Sequence, residues 1–302
     1  MNARFGKEPA LAELVAGLRA GELDFADDPA KARVDFEAAL ALSPVADDLA
    51  FEEVELAGVK ILKGSYDGAD PDRALLYLHG GAFIAGSAFG YRGLAAELAR
   101  AGGLTSWSVD YRLAPEHPFP AAVEDCLAVY RVLVAQGIPP ARIILAGDSA
   151  GGGLVLSTLI ALRNAGESLP AAAILLSPFA NLACDGSTYA TKADVDPSLT
   201  VEGLRAGAAK YLGSTDPRHP EASPTFDSLA GLPPLLIQVG SAEILLDDAI
   251  RIAEVAGAAG TPVRLDIWPN MPHVFPAFAF MLEAGKLALQ DAGQFMRQAL
   301  AG

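Results

Sequence analysis

Residues 147–151 read Gly-Asp-Ser-Ala-Gly, directly after the apolar run 143–146 and directly before a helical pattern. The order strand, tight turn and helix predicts that Ser149 has a strained backbone, with small neighbours that let the strand and the helix approach. In a chain with 30 glycines the same letters can also mark an ordinary helix cap. The flanking strand and helix favour a serine exposed over the carboxyl edge of a sheet.

Short apolar runs alternate with helical patterns on both sides of this turn, which is typical of an α/β fold with a mostly parallel sheet. The predicted strands are 74–78, 105–109, 142–146, 171–176, 234–239 and 263–268. The predicted helices are 91–101, 120–136, 150–165, 246–259 and 276–300.

Two regions depart from this alternation. The N-terminal region 8–45 reads as amphipathic helices, and the interval 181–229 is longer than a crossover requires, with one helical stretch at 201–212. We expect the two regions to pack together as a helical cap. The predicted segments are a cap segment (1–48), a core in two parts (49–180 and 230–302) and a cap insertion (181–229).

The composition excludes several classes of protein. The 302 residues include 22 Lys and Arg against 37 Asp and Glu, a net charge of −15, and 52% are hydrophobic. This balance argues against disorder and against binding to nucleic acid or anionic membranes. Cys126 and Cys184 are too few for a disulfide scaffold and show no metal spacing. With no signal-peptide pattern and no apolar run of about 18 residues, we expect a cytoplasmic protein without stable membrane association.

A glycine loop follows the predicted strand 74–78, where residues 79–83 read His-Gly-Gly-Ala-Phe. Consecutive glycines let backbone N–H groups turn toward a developing oxyanion. We predict oxyanion donors at Gly80, Gly81 and Ala150, the last at the N-terminus of the helix after Ser149. His79 is expected to anchor the loop, and an ordinary glycine turn is the alternative.

The general base is predicted from chain order. When a serine on such a strand–turn–helix acts as a nucleophile, the three catalytic residues occur along the chain in the order serine, acid, histidine. The base must therefore follow Ser149. The chain has four histidines, and His79 and His117 precede the serine. His219 lies in the long insertion, whereas His273 follows the last predicted strand, and we therefore predict His273.

The acid is expected in the loop after the predicted strand 234–239. Glu243 is nearest to the strand end, while Asp247 and Asp248 suit the first turn of the following helix. Glu243 is the first choice, and Asp247 stays the alternative. For the charged residues Arg112, Glu116 and Asp148 we expect structural roles that hold the strand ends.

Three motifs in order, at 79–81, 110–122 and 147–152, make the chain similar to the hormone-sensitive-lipase-like family of α/β-hydrolases, the bacterial HGG-type or family IV esterases. The resemblance implies a helical cap and a homodimer through the edge of the last strand. The family's Asp-Pro-Leu-x-Asp appears here as Glu-Ile-Leu-Leu-Asp at 243–247, and His-Gly-Phe as His-Val-Phe at 273–275. The first departure supports Glu243 as a substitute acid.

These residues predict a serine carboxylesterase that cleaves short- to medium-chain acyl esters through an acyl-enzyme, with Ser149, Glu243 and His273 as its triad. The expected partner is a small-molecule ester, and no cofactor or metal is implied. Two alternatives stay open. One is a lactone hydrolase with the same triad, and the other is a catalytically silent receptor, against which the presence of His273 speaks.

Overall fold

The computed structural model describes residues 9–21 and 24–301. Within these residues eight strands form one sheet. They are β1 (Ala50–Leu56), β2 (Val59–Ser65), β3 (Asp70–Leu78), β4 (Leu104–Asp110), β5 (Ile143–Asp148), β6 (Ala172–Leu176), β7 (Leu235–Gly240) and β8 (Val263–Trp268). Their order across the sheet is β1-β2-β4-β3-β5-β6-β7-β8. The pairs from β4 to β8 are parallel, which confirms the predicted mostly parallel α/β sheet.

The strands β1 and β2 were not among the six predicted. They form an antiparallel hairpin, and β2 pairs antiparallel with β4. Ala57 and Gly58 join them with positive φ angles of 53° and 79°, as a two-residue hairpin turn of the primed type requires. Most of β1 is partly or fully exposed, so it lacks the continuous apolar run that marks a buried parallel strand.

Nine helices flank or cap the sheet over the described residues. They are α1 (Pro9–Ala20), α2 (Pro29–Leu40), α3 (Arg92–Gly102), α4 (Ala121–Ala135), α5 (Ala150–Asn164), α6 (Ser187–Thr191), α7 (Val201–Leu212), α8 (Leu246–Ala258) and α9 (Glu283–Ala299). None of them is long and apolar enough to cross a bilayer.

The predicted helix 276–300 is wrong over its first third. A short 3-10 turn spans Phe275–Phe278, and α9 begins only at Glu283. The amides of Met281 and Leu282 both bond to the carbonyl of Phe278, at 3.0 and 2.8 Å, and so close the turn before the helix starts.

The N-terminal region contacts the insertion between β6 and β7. The ammonium group of Lys210, on α7, donates to the carbonyls of Phe25 and Asp27 at 3.0 and 2.7 Å. The ring of Phe25 packs edge-on against Phe36 on α2, with 5.5 Å between ring centroids. The two regions on which the cap prediction rests are therefore in contact with each other.

Candidate active site

Ser149 lies in the turn between β5 and α5. Its φ and ψ are 51° and −122°, a conformation that a non-glycine residue rarely adopts. Its amide donates to Leu176 at the end of β6, and its carbonyl accepts from the amide of Phe179, at 2.9 and 2.8 Å. A Cβ atom at Gly151 would overlap the carbonyl of Leu78, so the close approach of α5 to β3 requires glycine there. These hydrogen bonds and this close packing thus hold Ser149 in its strained conformation.

Glu243 and His273 meet where β7 and β8 end. Glu243 Oε2 is 2.8 Å from His273 Nδ1, the glutamate side chain is fully buried, and the histidine is 10% exposed. Burial raises the pKa of Glu243, against the opposing effect of its hydrogen bond to His273. Burial alone would lower the pKa of His273, but the hydrogen bond and charge of Glu243, with the charges of Asp196 and Asp148, outweigh it and raise that pKa. The pair therefore holds a histidine that readily accepts a proton.

The other two acid candidates have different partners. Asp247 Oδ2 accepts from the amides of Ser187 and Thr188, so it caps the N-terminus of α6. Asp248 accepts from two backbone amides at 2.9 Å and from the hydroxyl of Tyr189 at 3.1 Å, and burial raises its pKa to about 7. Within the described residues neither carboxylate bonds to a histidine.

The remaining histidines lie away from this pair. His79 is buried and stacks on Tyr111 with 4.2 Å between ring centroids, and its Nδ1 is 2.7 Å from the carbonyl of Gly80. Burial lowers the pKa of His79 to about 4. These contacts fit the expected anchoring role. His117 is exposed, and His219, in the insertion, packs against Phe119, which precedes α4.

The glycine loop turns sharply after β3. Gly81, Ala82 and Phe83 have consecutive positive φ angles of 117°, 51° and 65°, and the amides of Ile84 and Ala85 both bond to the carbonyl of Gly81 at 3.0 Å. A Cβ atom at Gly81 would overlap the carbonyl of Ala85. The loop is therefore a compact backbone turn at the carboxyl edge of the sheet, on the strand next to β5.

The predicted donor Gly80 has a partner of its own in the structure. Its amide donates to Asp148 Oδ1 at 2.9 Å in a buried site, so it is already occupied. By contrast, the amides of Gly81, Ala82 and Ala150 bond to no acceptor in the described part of the chain. Ala82 was not predicted, because the sequence alone does not show that Asp148 reaches across from β5 to the first glycine.

The charged residues near the motifs hold loops, as expected. Asp148 Oδ1 also accepts from the hydroxyl of Tyr77 at 2.7 Å, and burial raises the pKa of Asp148 to about 6. Arg112 pairs with the buried Asp125 at 2.8 Å. Glu116 pairs at 2.6 Å with Arg33 of α2, which links the N-terminal region to the core.

Two buried residues beside the site were missed in the sequence. The Ser177 hydroxyl donates to Glu243 Oε1 at 2.7 Å, and Asp196 Oδ2 accepts from the amide of Ile244 at 2.8 Å. Ser177 directly follows the predicted strand 171–176, and that position at a carboxyl edge was the available signal. Asp196 lies in the insertion, where no pattern points to it. Among the described residues no group of three or more potential metal ligands occurs.

Comparison with known proteins gives one consistent class. A family model described as alpha/beta hydrolase fold matches residues 75–277. An acetyl-hydrolase of Streptomyces hygroscopicus is 51% identical over 227 residues, which cover 75% of this chain and 76% of the relative. An esterase of Acinetobacter venetianus is 37% identical over 268 residues, covering 84% and 88%.

Solved structures that resemble this chain belong to the same class of protein as these relatives. An esterase of the bacterial hormone-sensitive lipase family superposes with a TM-score of 0.94 at 43% identity, covering 97% of this chain and 99% of that one. EstE5, in crystals soaked with p-nitrophenyl butyrate, gives 0.93 at 42% identity, covering 98% and 100%. The chain belongs to the α/β-hydrolase family, within its bacterial hormone-sensitive-lipase group. It is a carboxylic ester hydrolase.

Proposed function

We propose that Ser149, Glu243 and His273 form the catalytic triad of a serine carboxylesterase. The observation that carries the proposal is the buried 2.8 Å contact between Glu243 and His273 Nδ1. Since Nδ1 bonds to the carboxylate, Nε2 is left to take the proton of Ser149. Asp247 is not the acid in this proposal, because its carboxylate is committed to the N-terminus of α6.

The reaction then proceeds in two balanced halves. His273 takes the proton of Ser149 as its oxygen attacks the ester carbonyl carbon, and the imidazolium is stabilised by Glu243. Collapse of the tetrahedral intermediate breaks the bond to the alkoxy oxygen, and the alcohol leaves with the proton from His273. Water then loses a proton to His273, attacks the acyl-enzyme and releases the carboxylic acid, and the same proton returns to Ser149.

The oxyanion hole in this mechanism consists of the amides of Gly81, Ala82 and Ala150. Gly80 is replaced by Ala82, because the Gly80 amide bonds to Asp148. Free amides fixed by a compact turn and by the start of α5 cost little reorganisation when the oxyanion forms. Loss of one such donor typically costs about 3–4 kcal/mol of transition-state stabilisation.

The experiment that tests the triad is the pair of variants Ser149→Ala and Ser223→Ala. Ser223 is a matched control, because its buried hydroxyl bonds, among the described residues, only to backbone groups of the insertion. We expect Ser149→Ala to lower kcat on p-nitrophenyl butyrate by about 10⁴-fold or more, with an unchanged melting temperature, and Ser223→Ala to keep its kcat. Peptide mapping after treatment with phenylmethylsulfonyl fluoride should place the label on Ser149. Retained turnover in Ser149→Ala would contradict the mechanism.

Short- to medium-chain acyl esters are the proposed substrates. The acetyl-hydrolase relative and the soaking of EstE5 with a butyrate ester support this range. A p-nitrophenyl ester series from acetate to laurate, measured beside several lactones, should peak at butyrate or hexanoate. Faster turnover of lactones would favour a lactone hydrolase, and saturable binding without a burst of nitrophenol would favour a receptor.

We also propose that the N-terminal region and the insertion form a cap that selects the acyl chain. Support comes from the contacts between Lys210 and the carbonyls of Phe25 and Asp27. Lys210→Met keeps the aliphatic stem and removes both bonds, so we expect a higher KM for hexanoate and an unchanged kcat for acetate. Lys286→Met, on α9, is the control. Identical chain-length profiles in the two variants would argue against the cap.

A homodimer through β8 is the proposed assembly. Over residues 9–21 and 24–301, β8 is the last strand of the sheet and pairs only with β7. Ile267 on this strand is 39% exposed. An edge strand of this kind can pair with a second copy. Light scattering should give twice the monomer mass for the wild type and the monomer mass for Ile267→Lys; a monomeric wild type would contradict the proposal.

A further inference from the structure

Ser177 occupies an unusual position directly after β6. Its side chain is fully buried, and its φ of 48° lies in the left-handed region that a serine rarely adopts. Its amide donates to the carbonyl of Gln238 on β7 at 2.8 Å. The carbonyl of the preceding residue, Leu176, accepts a hydrogen bond from the amide of Ser149. The strained backbone thus places the Ser177 side chain between the strand that leads to the nucleophile and the strand that leads to the acid.

The hydroxyl of Ser177 joins two loops of the active site. It donates to Glu243 Oε1 at 2.7 Å and accepts from the amide of Val274 at 3.1 Å. Glu243 Oε1 also accepts from the amide of Gly240, so its other oxygen is left for His273. Val274 directly follows the base and itself has a left-handed conformation, with φ 50° and ψ 40°.

We propose that Ser177 is a positioning residue of the esterase: its hydroxyl fixes the Glu243 carboxylate and the backbone beyond His273 in one hydrogen-bonded unit. The inference rests on the proposed triad. A hydroxyl is suited to this place because it donates to the carboxylate and accepts from the amide at the same time. Without it, a buried amide and one carboxylate oxygen each lose a partner, which weakens the hold on both loops.

The charges around this unit determine how it responds to pH. His273 faces Glu243 from β7, Asp148 from β5 and Asp196 from the insertion, and all three carboxylates favour its protonated form. The Ser177 hydroxyl stabilises the ionised form of Glu243. Removal of this hydroxyl raises the pKa of Glu243, and the carboxylate is therefore protonated at a higher pH. The acid limb of the kcat/KM profile then moves upward in pH.

The test compares Ser177→Ala with Ser223→Ala on p-nitrophenyl butyrate. Alanine keeps the Cβ atom and therefore the backbone strain, so the two variants differ in which buried hydroxyl they lose. We expect Ser177→Ala to lower kcat about tenfold or more with KM within twofold, and to move the acid limb to higher pH. Ser223→Ala should keep both the kcat and the acid limb, because its hydroxyl touches neither Glu243 nor His273.

If Ser177→Ala does not fold, Ser177→Gly serves instead, because glycine accepts a positive φ at little cost. A wild-type kcat and acid limb in a folded Ser177 variant would overturn the inference. The same shift in Ser223→Ala would also overturn it, since a general loosening of the core would then explain both results. Retained turnover in Ser149→Ala contradicts the triad itself. Loss of turnover in Ser149→Ala, together with a wild-type kcat and acid limb in Ser177→Ala, contradicts this inference alone.

Discussion

The loops after β3 and β7 each rest on a fully buried carboxylate, yet the two carboxylates have different partners. Asp148 holds the amide of Gly80 and the hydroxyl of Tyr77, and it bonds to no histidine within the described residues. Glu243 holds the amide of Gly240 and the hydroxyl of Ser177 with one oxygen, and its other oxygen reaches His273. Burial raises the pKa of both carboxyl groups, so burial and pKa alone do not identify the acid.

The comparison shows that a buried carboxylate that accepts hydrogen bonds serves a different purpose in each loop. At Asp148 a buried acceptor shapes a backbone turn and occupies an amide, which leaves the next two amides of the loop free. At Glu243 the hydrogen bonds to one oxygen orient the other toward a base. The role of each carboxylate depends on the groups to which it is hydrogen-bonded. Substitutions that remove only the charge should therefore lower kcat by different amounts in the two loops.

The largest expected effect is that of Glu243→Gln. The amide keeps the shape of the side chain but no longer stabilises a protonated His273, and it favours the wrong tautomer of the ring. We expect kcat to fall by about 10⁴-fold with KM little changed, measured on p-nitrophenyl butyrate. A loss below about tenfold would assign the acid to another residue and remove the contrast between the two carboxylates.

Asp148→Asn should have a smaller effect. The amide oxygen can still accept from Gly80 and Tyr77, but the charge that strengthens these bonds is gone. We expect kcat to fall about tenfold, because the glycine loop holds its free amides less firmly. The acid limb of kcat/KM should move to lower pH, because the charge of Asp148 favours the protonated form of His273. A 10⁴-fold loss would show that Asp148 takes part in proton transfer.

The same substitution should change how stability depends on pH. Asp148 has a folded-state pKa of about 6, above its ordinary 3.8, so the folded state binds the proton more tightly than the unfolded state. Its contribution to the free energy of unfolding is therefore fully present below its ordinary pKa of 3.8 and is lost as the pH rises to about 6. Urea unfolding between about pH 4 and 6 should show a shallower decline in Asp148→Asn than in the wild type. Parallel curves would contradict this.

The smallest effect is expected for Asp247→Asn, the natural control for Glu243→Gln. Asp247 lies in the first turn of α8, close in sequence to Glu243, and its carboxylate accepts from the start of α6 without contact to His273. We expect kcat within twofold of the wild type and a loss of less than about 1 kcal/mol in the free energy of unfolding, because the asparagine oxygen can still accept from the start of α6. A large loss of kcat with an intact Glu243 would reverse the assignment.

The Ser149 turn and the position of His273 after β8 could be predicted because their signals are local or follow from chain order. The pattern strand, Gly-x-Ser-x-Gly, helix is contained in residues 143–164, and the structure places β5, the strained turn and α5 there. His273 could be proposed because it alone follows the last strand. Val201–Leu212 has the predicted bounds of a helix for the same reason, since its periodicity lies within the segment itself.

Other features depend on residues that are distant in the chain. Glu243 could be ranked above Asp247 only by its distance from the strand end, and the structure separates them through their partners. The bond from the Gly80 amide to Asp148 could not be predicted, because this acceptor lies 68 residues away on β5. The hairpin of β1 and β2 was missed because an exposed edge strand needs little apolar sequence.

The amino-acid sequence by itself determined the α/β class, the serine on its turn and the loops that bear the histidine and the acid candidates. These follow from backbone sterics and hydrophobic periodicity, which act between neighbouring residues. Only the tertiary structure decided which amides are free, which carboxylate meets the base and where the Ser177 hydroxyl lies. Hydrogen bonds are short and directional, so they are specified only once separate strands have been brought side by side.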